Sequence, residues 1–171
     1  MKKERIKTIV ILLLFTILIG REYYNTYAKT EIRSYDFKMV LAMGGDVRTK
    51  MDSGFHMEAD YIRVDLNTEA GNNYEVRLKY SPDLLKTTKT LVDKKGIKAK
   101  GKKTTLYFIP RNGKCPGKKS QCIIVPARKG ISSQDKVVDS DGAIFGVEFR
   151  NPSYKGGRLK INGTLTYLNY D

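Results

Sequence analysis

The chain has 171 residues, of which 40% are hydrophobic and 29% are charged, and its formal net charge is +14. This hydrophobic content is enough for one domain with a core and excludes a disordered chain. Eleven tyrosines and no tryptophan, together with frequent turn dipeptides, are typical of a β-rich protein. The single histidine, His56, leaves too few ligands for a zinc site. A catalytic triad would have to use His56, and no serine lies in a nucleophile-elbow pattern, so we expect no metal, no cofactor and no enzyme activity.

Residues 1–28 have the pattern of a secretory signal peptide. Four basic residues within the first seven positions precede an apolar run at 9–19, and Thr26 and Ala28 supply small residues at the two positions that a signal peptidase reads. The apolar run is shorter than the roughly 20 residues that a membrane span needs. We therefore expect export, and the pattern leaves open whether the segment is cleaved or retained as an anchor.

The positive charge indicates an anionic partner or serves solubility. Export makes nucleic acid an unexpected partner, although lysine-rich and arginine-rich surfaces bind it well. The polyanions available outside a cell are lipid head groups, envelope glycopolymers and host glycans. The charge would equally keep a secreted protein soluble, and both interpretations stay open.

Residues 35–43 predict the first strand, because apolar and polar side chains alternate along them. Asp36 and Lys38 lie on the polar side. The apolar side carries Tyr35, Phe37, Met39, Leu41 and Met43. This strand either belongs to the chain's own sandwich or is part of a free arm at residues 29–43 that completes the fold of another molecule.

Two further strands are predicted next, within residues 55–66 and over 74–80, and each places apolar side chains on one face. The polar turn at 67–73 between them favours an antiparallel hairpin. Residues 84–92 fit a short helix or a strand equally well.

A lysine-rich segment at residues 94–103 predicts either a polyanion-binding loop or a solvated connector. Its lysines are Lys94, Lys95, Lys98, Lys100, Lys102 and Lys103. The β-rich runs at 104–110 and 121–125 then predict a second hairpin with a long basic tip.

The two cysteines, Cys115 and Cys122, lie on that tip on either side of a Pro-Gly turn. In an exported protein without other zinc ligands, we expect them to form a disulfide that closes a small loop.

The last part of the chain returns to alternation. Residues 143–149 place Glu148 opposite an apolar face, and a final strand extends to Tyr170. One stripe of that final strand consists of Leu159, Ile161, Leu165 and Tyr167. With no internal repeat and no linker, residues 44–171 predict a single all-β sandwich of about seven strands.

Two segments carry a family resemblance. They are residues 60–85, with a Tyr-Ile-Arg-Val strand, a turn and a strand that ends before Ser-Pro-Asp-Leu, and residues 153–171, with the penultimate Tyr170. Together with the apolar first strand, they resemble subunits of chaperone/usher fimbriae and are most similar to the alternate-chaperone colonisation-factor (class 5) pilins. The resemblance is diffuse but spans most of the exported chain.

This resemblance implies an immunoglobulin-like sandwich that lacks its last strand and is completed by a donor strand from another subunit. Residues 30–43 would be the donor arm, with Tyr35, Phe37, Met39 and Leu41 as its plugging side chains. The strand from Leu159 to Tyr170 would border the groove. The implied partners are other pilin subunits, a periplasmic chaperone and an outer-membrane usher, and the implied location is an adhesive fimbrium at the cell surface. The basic charge adds host anionic glycans as a further expected partner.

A second hypothesis comes from the residues alone. The chain would be a monomeric secreted surface module in which residues 35–43 pair within their own sheet. The lysine-rich segment would then bind an anionic glycopolymer or lipid.

Overall fold

The structure is a computed structural model of the chain. It describes residues 2–23, 31–42, 44–50, 52–53, 58–69, 73–81, 89–98, 103–126, 135–138, 144–151 and 158–170. Met43, His56, Lys100 and Lys102 lie outside the described residues.

The described chain contains one α-helix, ten strands and one short 3₁₀ turn. Helix α1 covers Lys2–Tyr23 and corresponds to most of the predicted signal peptide. The strands are β1 (Glu31–Leu41), β2 (Asp46–Arg48), β3 (Asp52–Ser53), β4 (Tyr61–Thr68), β5 (Asn73–Ser81), β6 (Lys89–Lys98), β7 (Lys103–Ile109), β8 (Cys122–Ile124), β9 (Ile144–Arg150) and β10 (Leu159–Leu168). In the described parts of the chain, no helix combines the length and the hydropathy that crossing a membrane requires.

The strands form two sheets that enclose one core. Sheet I has the order β1-β10-β4-β7-β8, and sheet II has the order β2-β9-β5-β6 with β3 paired to β9. The predicted all-β sandwich is therefore confirmed.

The connectivity is that of a jelly roll, a two-sheet fold built from two Greek keys. The chain passes repeatedly from one sheet to the other, and its first and last strands, β1 and β10, are antiparallel neighbours in sheet I. In the immunoglobulin order, by contrast, the first strand pairs with the second and the last strand lies in the other sheet. The jelly-roll order places four long strands of sheet I side by side, and this arrangement builds the surface described below.

The core consists of the alternating apolar side chains that the sequence predicts. Ile62, Val64 and Leu66 of β4 face Phe145, Val147 and Phe149 of β9 across the sandwich, and all are at most 1% exposed. Burial of a side chain of this kind contributes about 1.5–3 kcal/mol, so these stripes fix which face of each strand points inward.

The first predicted hairpin is wrong. The two strands in question, β4 and β5, lie in different sheets, because β4 pairs with β7 and β10 whereas β5 pairs with β6 and β9. Each strand has one apolar face, and placing the two strands in opposite sheets lets both faces cover the same core. The turn between them therefore connects the two sheets.

The second predicted hairpin is also wrong, since β7 and β8 pair in parallel. A parallel pair needs a crossover of about a dozen residues, and the segment 110–121 supplies it. This segment contains the cysteine loop and a 3₁₀ turn at Lys119–Gln121.

The lysine-rich segment is not a loop throughout. Its first part belongs to strand β6, which ends at Lys98, and its last residue, Lys103, begins strand β7. The open choice at residues 84–92 is resolved as strand from Lys89 onward.

Glu148 lies on the outer face of sheet II, as predicted, but is only 3% exposed. Three cations of neighbouring strands cover it, with Arg48 Nη2 at 3.3 Å, Arg77 Nη1 at 3.8 Å and Lys79 Nζ at 3.8 Å from its carboxylate oxygens. A buried carboxylate needs such partners, because an unpaired charge away from water is costly.

Candidate functional site

A groove of about 850 Å³ lies on the outer face of sheet I, across strands β1, β10, β4 and β7. We call it the sheet groove. Its outward-facing lining side chains are Asp36, Lys38, Arg63, Asp65, Asn67, Lys103, Thr105, Tyr107, Asn162 and Thr164. Because outward side chains recur at every second residue, the pairing register of the four strands arranges them in rows.

One row crosses all four strands and is named here the lysine row. In register, Lys38 of β1 lies beside Asn162 of β10, which lies beside Asn67 of β4, which lies beside Lys103 of β7. Three interstrand spacings make this row about 14 Å long at the backbone. Both lysines are exposed, so two amide groups lie between two accessible ammonium groups.

The next row is named the aspartate row, and it alternates carboxylates and hydroxyls. Asp36, Thr164, Asp65 and Thr105 follow one another across the strands. The Thr164 hydroxyl donates to Asp36 Oδ1 at 2.6 Å, and the Thr105 hydroxyl donates to Asp65 Oδ1 at 2.6 Å. These charge-assisted hydrogen bonds hold both carboxylates in place while leaving them able to accept further donors.

Arg63 and Tyr107 complete the groove beyond the aspartate row. Arg63 Nε lies 2.9 Å from Asp65 Oδ2 and forms an ion pair whose geometry is not that of a hydrogen bond. Tyr107 packs against the cysteine loop so closely that a Cβ at Gly117 would lie 2.5 Å from Tyr107 Cε2. The loop thereby supports one wall of the groove.

The charge of the groove is mixed. Its lining holds three cationic side chains and two carboxylates, with amides and hydroxyls between them. The site therefore offers both hydrogen-bond donors and acceptors over its whole length, as a hydroxyl-rich ligand requires. Among the described residues, no three His, Cys, Asp or Glu side chains are grouped as metal ligands.

The predicted donor-strand residues lie in β1, which pairs with β10 of the same chain from Glu31 to Leu41. Leu41 is fully buried, while Tyr35, Phe37 and Met39 are half-buried and pack against the core. The Tyr35 hydroxyl donates to the Lys50 carbonyl at 3.0 Å. Of this predicted set, only Met43 lies outside the described residues.

Phe37 fills a place that its partner strand leaves open. It lies opposite Gly163 of β10, where a Cβ would come within 2.6 Å of Phe37 Cζ, and its ring centroid is 5.5 Å from that of Phe149. A glycine at this position lets the aromatic ring lie close over the backbone.

The predicted final-strand stripe is buried in β10. Leu159, Ile161, Leu165 and Tyr167 are each at most 2% exposed. In this chain the strand lies between β1 and β4, so its two edges are both paired.

Tyr170 has a different role from the rest of that predicted set, because it fastens the C-terminal segment to the crossover segment 110–121. Its hydroxyl donates to the Lys114 carbonyl at 2.8 Å, its backbone N–H donates to Asp60, and its ring lies 5.0 Å from that of Tyr61. Burial, and secondarily the negative charge of Asp60, raise the pKa of Tyr170 to about 12.

The predicted disulfide is confirmed. Cys115 and Cys122 are bonded, and their Cα atoms are 6.0 Å apart, within the usual range for a disulfide. The bond closes the loop that supports Tyr107.

The structure brings only one described lysine side chain of the lysine-rich segment to the sheet groove, namely Lys103. Lys94 is in β6 of sheet II, where its Nζ donates to the Ser120 carbonyl at 3.4 Å. Lys95 and Lys98 also belong to strand β6.

The sheet groove could not be identified from the sequence. The polar face of each strand is visible there as alternation, which places Asp36 and Lys38 on such a face. The missing information was which strands are neighbours, because the four strands that line the groove are distant in sequence.

No protein-family model matches the chain, and no curated protein sequence matches it either. The structure is similar to that of PirA, with 8% identity and a TM-score of 0.42, covering 75% of this chain and 93% of that one. It is also similar to the Yersinia pseudotuberculosis-derived mitogen (6% identity, TM-score 0.37, covering 81% and 87%). A third similar structure is a family 11 carbohydrate-binding module from Clostridium thermocellum in complex with a β-1,3-1,4-mixed-linked tetrasaccharide (12% identity, TM-score 0.39, covering 81% and 89%). Similarity at this level carries no argument about function.

Proposed function

We propose that this protein is an exported surface module that binds a glycan in the sheet groove. The observation that carries the proposal is the groove itself, which four neighbouring strands line with ten polar side chains from their outward faces. A rigid sheet holds such groups at fixed spacings, so little conformational entropy is lost when a ligand binds.

The chemistry of the lining favours a polyhydroxyl ligand. A hydroxyl both donates and accepts, and the groove presents acceptors at Asp36 and Asp65 beside donors at Arg63 and the two Asn side chains. An apolar ligand would leave these groups without hydrogen bonds, which costs free energy for each group that is desolvated. The two carboxylates would also repel the phosphates of a nucleic acid.

The closed sandwich supports binding by a single chain. All ten registered pairs between β1 and β10 are formed within the chain, so the four-stranded base of the groove needs no second copy. This arrangement corresponds to the hypothesis in which residues 35–43 pair within their own sheet.

The test is affinity gel electrophoresis of the purified full-length chain in mild detergent, through gels that contain neutral or acidic polysaccharides. Replacing Thr105 and Thr164 together by Val removes both hydroxyls of the aspartate row and keeps the side-chain shape. We expect retardation to weaken by about tenfold, since each hydrogen bond contributes about 0.5–1.5 kcal/mol. The matched control is Thr90→Val, which changes an exposed Thr of β6 in sheet II.

Migration of the unmodified protein that no polysaccharide changes would contradict the proposal. Equal retardation of the double variant and the unmodified protein would place the ligand elsewhere.

The pilin hypothesis is the second candidate function, and one observation favours it. Strand β1 lies at the edge of sheet I, follows an N-terminal segment, and presents half-buried Tyr35, Phe37 and Met39 to the core. Such a strand can be exchanged between subunits, with a chaperone and an usher as the partners that the resemblance implies. Its test is deletion of residues 29–43 and addition of a synthetic peptide of that sequence. The pilin hypothesis is supported if the peptide restores a cooperative thermal transition to the truncated chain and the intact chain forms polymers on size exclusion. It is refuted if the intact chain is a monomer whose thermal transition the peptide does not change.

A further inference from the structure

We infer that the ligand of the sheet groove is an acidic polysaccharide with sparse carboxylates, whose acid groups lie along the lysine row. This inference rests on the proposed function and specifies its ligand class. It depends on how charge is distributed between neighbouring rows of the groove.

The lysine row presents exposed hydrogen-bond donors and positive charges that can bind carboxylates. Lys38 and Lys103 are exposed at its two ends, and within the described residues neither is paired with an acidic side chain. The amides of Asn162 and Asn67 lie between them in register and add donors that face the same way. A carboxylate placed at either end can therefore accept from an ammonium group and from a neighbouring amide.

The aspartate row limits how many charges a ligand can carry. It runs beside the lysine row at a distance of two residues along each strand, about 7 Å. Asp36 and Asp65 would repel acid groups above them, although they accept hydrogen bonds from hydroxyls. A polymer that is charged on every side, such as a heavily sulfated glycan, is therefore disfavoured, while one with a carboxylate on a single edge is accommodated.

The probe is a hyaluronan oligosaccharide, in which carboxylates alternate with neutral sugars, and the comparison ligands are its carboxyl-reduced derivative and heparin. Calorimetric titration of the full-length chain should give tighter binding of hyaluronan than of either comparison ligand. Lys38→Gln and Lys103→Gln should each weaken hyaluronan binding by about tenfold, with no change for the carboxyl-reduced form. Added salt should weaken hyaluronan binding more than binding of the reduced form.

Lys160→Gln is the matched control. Lys160 is an exposed lysine of β10 outside the groove lining and is paired with the exposed Glu69 at 3.3 Å, so its loss should leave binding unchanged. A second variant tests the aspartate row directly, because Asp36→Asn should increase affinity for heparin. Circular dichroism of each variant verifies that the fold is retained.

The outcomes separate the two proposals. If no polymer binds, both the proposed function and this inference fail. If native and carboxyl-reduced hyaluronan bind equally and the lysine variants change neither, the groove binds glycans and the inference about acid groups is refuted. Tighter binding of heparin than of hyaluronan by the unmodified protein would also refute it.

Discussion

Replacing Phe37 by Ala tests whether β1 belongs to the chain's own fold. Fully buried Phe→Ala changes cost about 3–5 kcal/mol, and Phe37 is half-buried, so we expect about half of that loss. The ring also contacts Phe149 at 5.5 Å, and such an aromatic pair contributes about 0.5–1.5 kcal/mol. Together these terms lower the free energy of unfolding by about 2–4 kcal/mol, or the melting temperature by about 5–15 °C.

The assay is urea and thermal unfolding, followed by circular dichroism, of protein that size exclusion identifies as monomer. Val40→Ala is the control, because Val40 is on the same strand, faces outward and is 50% exposed. Its unfolding should change by less than about 0.5 kcal/mol. An unchanged midpoint for Phe37→Ala, with monomer present, would refute the pairing of β1 within the chain and would favour a donor arm.

Three further predictions concern stability. Glu148→Gln should lower the free energy of unfolding by about 2–3 kcal/mol in chemical denaturation, because three cations lose their shared buried partner; a change below about 0.5 kcal/mol would contradict this. Burial raises the pKa of Tyr74 to about 12, against about 10 in the unfolded chain, so the folded state keeps a proton that the unfolded state loses. The free energy of unfolding should therefore be constant with respect to this group below about pH 10 and fall by up to about 2–3 kcal/mol as pH rises to about 12. Urea unfolding on either side of pH 10 should show this decline in the free energy of unfolding for the unmodified protein and not for Tyr74→Phe. An identical decline in both proteins would rule out the contribution of Tyr74. Replacing Cys115 and Cys122 by Ser should cost about 2–3 kcal/mol, and intact-mass analysis of the unmodified protein should find no alkylatable thiol; two free thiols would disprove the bond.

Much of the fold could be predicted from alternation, since the inward or outward direction of a strand side chain is a local property. Tyr74, Val76 and Leu78 of β5 are buried, as their spacing indicates. The disulfide was also predictable from local sequence, because two cysteines seven positions apart across a turn lie close enough to form a bond in an oxidising compartment.

The two hairpin predictions were wrong because they concerned which strands pair with each other. The turn between β4 and β5 looked like a hairpin loop, yet the chain uses it to pass from sheet I to sheet II. The crossover 110–121 looked like a hairpin tip, yet β7 and β8 run in parallel. In both cases the local sequence permits either geometry, and burial of apolar faces on a shared core decides between them.

By itself, the sequence determined that this is a β-rich chain with an apolar N-terminal segment, a disulfide-closed loop and strands with one apolar and one polar face. Tertiary structure alone decided which polar faces become one surface. Lys38 and Lys103 are 65 positions apart, and they share a row only because β10 and β4 lie between their strands in a fixed register. Register is set by contacts between distant segments, and a one-residue slip would turn every one of these side chains to the opposite face, so no local pattern could have assembled the groove.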